Sequence, residues 1–564
     1  MGSCASVGMS QLATLDDRPR PRTALRPDDD SPARPRRRPT ARGAAGFAVA
    51  IAVALTAFAV RLWIALRGGG LGGTYGYDDG VYYAASSSLV WGRVPYRDFL
   101  LLHPPGIMLA LTPFALIGRI TRDHVGLETA RVAWMLLGSL NAVLVYRVAR
   151  PAGLAAAAAG GLFYAVWTPV AVTETTTRLE PLVSLGLLVA LALLTGPLLT
   201  RQQRVPSRGL LLGAGAALAF SVSVKIWAVA PALLIVLWLW RRAGAGAAAW
   251  ALAGGVAAVV LVDGPFLLAA PSRMVQMVVL DQLGRAWTQT SAVSRLAQIF
   301  SPGTMLPGAW WLVAALVVLG VCTAVLVCVA CLGSAHGRFA LSFLAVQVLV
   351  LVLSPSFFYF YTAFAGPALA LVVAQVVAWV RALPRRSPTY RTGHRVHLRA
   401  GMGLVLAGTL TLGVVTGLVQ DSQVEASAPF PGPALARVAS SARCVTSDSP
   451  DALVLTDFFT RNLARGCQVP VDLSGLTYDR DTLPLRPNGS GVSRSDNPQW
   501  QHDFGSYMFS GRFIFVLRDV SDGDGGDAVQ HLEGLTALEV GDAYTLLMNV
   551  APPPHAGAGD PRPR

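Results

Sequence analysis

Tyr75–Pro105 reads YGYDDGVYYAASSSLVWGRVPYRDFLLLHPP and follows directly on the first long apolar segment of the chain. It holds Asp78 and Asp79, the first adjacent carboxylates beyond the N-terminal tail. A carboxylate beside a membrane-spanning helix carries a desolvation cost that an ordinary loop residue avoids, so the pair marks a candidate functional site. The plainer reading is a solvated loop between two spans, since acidic loop residues are common.

The composition around this stretch sets its context. The chain has 564 residues, of which 53% are hydrophobic and 14% charged, with a mean hydropathy of +0.50. These values exclude a single soluble domain and predict an α-helical polytopic membrane protein. The net charge of +14 does not point to nucleic acid as a partner. Residues 1–420 carry 35 Lys plus Arg against 14 Asp plus Glu (+21), whereas residues 421–564 carry 11 against 18 (−7), so the basic excess belongs to the membrane part. Of the 46 basic residues 45 are arginine, a bias that points to a GC-rich genome of actinobacterial type. The only lysine is Lys225, inside the apolar run LAFSVSVKIWAVAPALL. Where arginine is the default cation, one lysine in an apolar segment marks a site that needs a compact ammonium. The alternative is a side chain snorkelling to the interface.

Hydropathy predicts eleven spans, at about 45–66, 129–148, 153–172, 180–199, 209–224, 226–240, 245–265, 308–332, 339–354, 359–380 and 401–420. Residues 106–118 are apolar but too short to cross, and read as a re-entrant or surface helix. Residues 1–44 form a basic, disordered cytoplasmic tail whose nine arginines place the N-terminus inside. The first extracytoplasmic loop is then 67–128. The expected cytoplasmic connections contain Arg147, Arg150, Arg201, Arg204, Arg208, Arg241, Arg242, Arg338 and the arginines of 381–399, and no acid. The outer side takes Asp78, Asp79, Asp98, Asp123, Glu128, Glu174, Glu180, Asp263 and Asp281. An odd number of spans puts residues 421–549 outside as a small α/β domain, with strand-like runs ALVLTDF, GRFIFVLRDV and AYTLLMNV and a disordered tail at 550–564. Cys444 and Cys467 enclose 22 residues and could close a disulfide in an exported domain, a loop for which the typical contribution is about 3 kcal/mol.

DDGVYY, then Trp91-Gly92, VPYRDF and HPPG from His103 resemble the first periplasmic loop of the GT-C membrane glycosyltransferases. More narrowly they are similar to the family 39-like branch of protein O-mannosyltransferases and lipid A aminoarabinose transferases. The resemblance implies that Asp78 falls on the catalytic acid of that family, that Asp79 replaces a Glu, and that His103 replaces a phosphate-binding Lys. TETTTRLEPLVSL, with Glu174, Arg178 and Glu180, resembles the second acidic motif, Glu180 taking the position of its acid. Lys225 resembles the lysine that contacts the donor phosphate, although Ile226 stands where the family has a glycine.

What the resemblance implies chemically is an inverting hexosyl- or pentosyltransferase. It would move a sugar from a polyprenyl phosphate to a hydroxyl of a cell-envelope glycan, lipid or protein at the outer face of the membrane. Asp78, with Asp79 as second candidate, would take the acceptor proton. Lys225, assisted by Arg178 and His103, would stabilise the phosphate leaving group. Some family members hold a divalent metal at such acids, which leaves a cofactor at Asp78, Asp79 and Glu180 open. The loop carrying Asp281, Arg285, Trp287 and Arg295 could touch substrate or lie at the interface, and Tyr359 and Tyr361 resemble an aromatic segment before a late helix. The rivals are a transporter or lipid flippase with the charges along its path, and a membrane anchor that presents the C-terminal domain. Against transport, the acids gather at one face, and no two matching halves carry broken helices.

Overall fold

The computed structural model describes residues 41–199, 205–285, 290–300, 310–382, 429–478, 492, 494, 497–517, 526–542 and 544–550. The chain divides into a short unit, Met1–Ala45, and one large unit, Gly46–Arg564, which carries the structure described below. The expected span at 401–420, most of the N-terminal tail and nearly all of the C-terminal tail lie outside the described residues. The part of the tail that is described, from Ala41, is already helical.

The molecule is mostly helical. Its membrane part begins with α1 (Ala41–Arg67), α2 (Tyr77–Val90), α3 (Gly106–Ile120), α4 (Asp123–Ala149), α5 (Leu154–Val166), α6 (Thr168–Thr173), α7 (Glu180–Leu199) and α8 (Arg208–Val224). It continues with α9 (Val229–Ala243), α10 (Ala245–Val262), α11 (Gly264–Ala269), α12 (Pro271–Val275), α13 (Asp281–Leu283), α14 (Ala292–Phe300), α15 (Trp310–Leu332), α16 (Ala335–Leu353) and α17 (Gly366–Ala382). Among the described residues six helices are long and apolar enough to cross a membrane: 43–67, 123–152, 226–243, 245–262, 335–353 and 359–382. Shorter apolar helices lie at 106–120, 154–166, 180–195, 208–224 and 320–332. The span expected at 153–172 is interrupted. α5 ends before Trp167, whose backbone is extended (φ −65°, ψ 111°), because Pro169 has no amide to donate to the carbonyl four residues back and is accommodated instead in the first turn of a new helix, α6.

Small residues let these helices approach closely. Gly215 of α8 lies against the Ala251 carbonyl of α10, and Gly254 of α10 against the Leu212 carbonyl of α8, each without room for a Cβ. Gly186 seats α7 on Ala217 and Ser221 of α8, and Gly160 seats α5 on Ala370 of α17. Packing of this kind holds helices together where lipid provides no hydrophobic drive between them.

The C-terminal region carries a four-stranded mixed sheet in the order β1-β2-β4-β3, formed by β1 (Val445–Ser447), β2 (Phe513–Val516), β3 (Thr536–Gly541) and β4 (Tyr544–Met548). β1 pairs parallel with β2, and β4 runs antiparallel to both β2 and β3. GRFIFVLRDV and AYTLLMNV contain strands, as their patterns predict. ALVLTDF does not: residues 450–455 form a helix opened by Pro450 with Asp451 in its first turn, both of which suit a helix N-terminus. A run of four apolar residues carries no period by which to tell the two apart.

One hydrophobic core joins the two regions. Leu100, Leu101 and Leu102 from the α2–α3 segment share it with Val445, Leu453, Phe458, Val469 and Val471, while a second cluster gathers around Trp500, Phe504 and Tyr507. The two regions approach closely at Gly80 of α2, where a Cβ would overlap the backbone and carboxylate of Asp451. Gly80→Ala therefore forces backbone apart, a change that typically costs about 1–3 kcal/mol. We expect faster proteolysis between residues 430 and 475 in this variant, with the helices around Gly215 and Gly254 unaffected.

Candidate functional site

α2 opens after Gly76, whose φ of 97° is one that only glycine adopts freely, and this turn delivers Asp78 and Asp79 in the first helical turn. Asp79 is 1% exposed and fully engaged. Its Oδ2 accepts from Arg131 Nε at 2.8 Å and from Arg131 Nη2; its Oδ1 accepts from the Thr177 amide at 2.7 Å and the Thr177 hydroxyl. Arg131 spends its remaining donors on the Gly73 carbonyl at 2.8 Å and the Leu71 carbonyl. Asp78 is different: it is half-buried, and its charge acts on Tyr82, Lys225 and Asp472, which places it among them.

Lys225 stands at the break between α8 and α9. Its extended backbone (φ −147°, ψ 120°) ends α8 and a short turn, Ile226–Ala228, follows before α9. The break aims the side chain at the N-terminus of α7, where Nζ lies 2.6 Å from Glu180 Oε1, both side chains being 2% exposed. Nζ also lies 4.0 Å from the Trp227 ring centre and 3.9 Å from that of Tyr361. The two rings meet edge to face at 4.8 Å. A desolvated ammonium over an aromatic face gains about 2 kcal/mol, so carboxylate and rings together hold a charge that the apolar surroundings would otherwise reject.

The other sequence-derived candidates surround this pair. Arg178 stacks on the Phe360 ring at 3.6 Å and donates from Nη2 to the Tyr75 carbonyl at 3.2 Å, just ahead of α2. His103 packs edge to face on Tyr82 at 5.7 Å, and its carbonyl accepts from the Tyr96 hydroxyl at 2.8 Å. Tyr96 sits at φ 66°, a left-handed conformation rare for an aromatic residue, so VPYRDF holds a strained turn behind His103. Burial, followed by the charges of Arg285 and Lys225, holds the His103 imidazole well below its ordinary pKa. It is therefore a neutral hydrogen-bonding group at physiological pH and brings no cation of its own. Arg285 acts electrostatically on Tyr82, His103, Lys225 and Asp472, and so belongs to the same cluster.

Glu174, four residues before Arg178, is taken up by the helix bundle. Its Oε2 accepts from Arg61 Nε of α1 at 2.8 Å and from Arg61 Nη2, and its Oε1 accepts from Tyr164 at 2.8 Å and Asn141 Nδ2 at 3.2 Å. Arg61 and Arg131 were not among the residues singled out from the sequence. Each is a charged residue in an apolar helix, the one signal that could have found it. Among the described residues no group of three or more His, Cys, Asp or Glu side chains is placed to hold a metal ion. Cys444 and Cys467 are joined in a disulfide, while Cys322, Cys328 and Cys331 are free thiols.

Residues 101–355 match the model of Glycosyltransferase family 87, a span that contains His103, Glu180, Lys225 and Arg285 and starts after Asp78. No curated protein matches the sequence. Among solved structures, the chain is similar to ArnT from Cupriavidus metallidurans bound to undecaprenyl phosphate, with a TM-score of 0.54 at 16% identity over 91% of this chain and 99% of that one. The apo state of ArnT gives 0.54 at 17% identity over 90% and 98%. The archaeal oligosaccharyltransferase AglB from Archaeoglobus fulgidus, in complex with an inhibitory peptide and a dolichol-phosphate, gives 0.47 at 12% identity over 84% and 69%. The chain is a multi-pass membrane protein that shares the fold of ArnT.

The carboxylates separate by what they hold. Asp79→Ala or Glu174→Ala strands a buried guanidinium and is expected to cost about 3–5 kcal/mol, read as a lowered unfolding temperature in detergent. Asp78→Asn, which breaks no buried ion pair, is expected to stay within about 0.5 kcal/mol of wild type.

Proposed function

We propose that the protein is an inverting glycosyltransferase that moves a sugar from a polyprenyl-phosphate donor to a hydroxyl of a cell-envelope glycan, lipid or protein at the outer face of the membrane. The observation that carries this reading is the caged Lys225–Glu180 pair, with Asp78 and Arg285 close enough to act on it. ArnT, which shares the fold, binds undecaprenyl phosphate, and a lipid phosphate of that class suits the cations gathered here.

The chemistry follows from the placement of charge. The acceptor oxygen attacks the anomeric carbon from the side opposite the phosphate and forms the new glycosidic bond. The bond from that carbon to the phosphate oxygen breaks, and its electron pair leaves with the polyprenyl phosphate. Direct displacement inverts the anomeric centre. Negative charge grows on the phosphate as it leaves, and Lys225 and Arg285 stabilise it in a water-poor setting, where fixed charges act most strongly. His103, kept neutral, offers the phosphate a hydrogen bond. Glu180 and the rings of Trp227 and Tyr361 hold Lys225 in place; because the pair is neutral at a distance, the ammonium acts on a phosphate only in direct contact with it. The acceptor proton passes to Asp78, whose carboxylate is not committed to a buried ion pair as that of Asp79 is.

The test is transfer of label from undecaprenyl-phosphate-linked hexose or pentose in membranes carrying wild type, Asp78→Asn or Lys225→Ala. Loss of a general base is expected to lower the rate about 10²–10⁴-fold, and loss of the phosphate cation about 10²–10³-fold. Equal transfer by all three folded proteins would remove Asp78 and Lys225 from the chemistry.

A further inference from the structure

The C-terminal region meets the residue before Asp78 at the turn Asp472-Leu473-Ser474-Gly475. Tyr77, the residue before Asp78, donates from its hydroxyl to Asp472 Oδ1 at 3.0 Å, and the same hydroxyl accepts from the Ser474 amide at 2.9 Å. Asp472 Oδ1 also accepts from the Gly475 amide at 2.7 Å, which closes the turn on itself. A Cβ at Gly475 would overlap the Asp472 carboxylate and the side chain of Leu100 in the α2–α3 segment, so the turn is seated without slack. Nearby, Arg93 donates to the Val469 carbonyl at 3.2 Å. Burial raises the Asp472 carboxyl above its ordinary range, the Gly475 amide and Tyr77 hydroxyl oppose this, and the charges of Asp78 and Arg285 act on it as well. A carboxylate of the C-terminal region thus lies within electrostatic reach of both the candidate base and a candidate phosphate cation.

We infer that Tyr77 and Asp472 are positioning residues for Asp78, and that the C-terminal region is a working part of the transfer site. This role rests on the transferase reading above. Asp78 is flanked on the chain by two tethered neighbours. Asp79 is fixed to Arg131 and Thr177 from the membrane helices, and Tyr77 is fixed to Asp472 and Ser474 from the C-terminal region. Successive helical residues point about 100° apart, so the two tethers pull on different faces of the first turn of α2 and fix the backbone that carries the Asp78 carboxylate. Releasing the Tyr77 tether would let this turn fray, since the turn has no side-chain N-cap. Reacting groups lose about a hundredfold in rate for displacements on the order of 1 Å, so a frayed first turn is felt in turnover before it is felt in donor binding.

The experiment compares the full chain with Tyr77→Phe and Asp472→Asn, neither of which changes side-chain volume appreciably. Amide exchange across residues 76–81 is expected to rise about tenfold in each, with the exchange of α8 and α10 unchanged. Turnover of the labelled undecaprenyl-phosphate donor is expected to fall about tenfold while its KM stays within about twofold. In an Asp78→Asn background, Tyr77→Phe is expected to lower the residual rate no further, because there is no base left to position. Unchanged exchange at 76–81 in both variants overturns the inference. So does an equal further loss in the Asp78→Asn background, which would give Tyr77 a role of its own. Raised exchange in a chain whose wild type transfers no sugar keeps the tether and removes the transferase reading it would serve.

Discussion

The Asp79 carboxylate is the constraint on which the rest of the site depends. It sits in the first turn of α2 and accepts from Arg131 in α4 and from Thr177 in the turn before α7. Three pieces of chain separated by 52 and 98 residues are therefore locked through one side chain. Such a lock is tolerable only because each oxygen and each guanidinium donor finds a partner, since an unpaired charge at this depth would cost more than the fold could offset. What it fixes is the neighbours. Asp78 comes with α2, and Glu180 comes with the turn, three residues after Thr177. Lys225 then follows Glu180, and the rings of Trp227 and Tyr361 follow Lys225.

The choice of cation at each point follows the same logic. Arg61 and Arg131 each meet one carboxylate and also donate to backbone carbonyls, in keeping with a planar guanidinium that carries five donors. Lys225 meets a single carboxylate oxygen and two aromatic faces. A compact charge fits that cage, whereas a fork would leave donors unsatisfied against the rings. The solitary lysine of an arginine-rich chain is thus explained by the shape of its surroundings.

How much of this was legible in the sequence depended on how local the information was. Asp78, Glu180 and Lys225 stand out because each is a charged residue beside or inside an apolar run, and the structure pairs two of them, Lys225 with Glu180. The pairings of Asp79 and Glu174 were not legible. Their partners Arg131 and Arg61 lie 52 and 113 residues away in the chain, and no periodicity in either helix marks the residue that will meet a carboxylate. α2 itself was hidden within what reads as a loop, because its glycine, serines and tyrosines are weak helix formers and only burial on both sides makes the helix pay its entropy. ALVLTDF misleads for a related reason: apolar residues without a period fit a strand as well as a buried helix, and Pro450 and Asp451 settle the matter from just outside the run.

The proposed transfer needs a base hydrated enough to be charged and a leaving group dry enough for fixed cations to count. In this molecule those needs fall on opposite sides of a few residues. Lys225 and Glu180 are almost wholly buried, whereas Asp78, next to the buried run of α2 that begins at Asp79, keeps part of its surface open. The boundary between the two environments is set where the C-terminal region meets the α2–α3 segment, through apolar contacts shared by Leu100–Leu102 and Val469–Val471. An appended module would have little reason to share a core with the loop that bears the candidate base. On the proposed reading, sharing it gives the site a wall on its more exposed side.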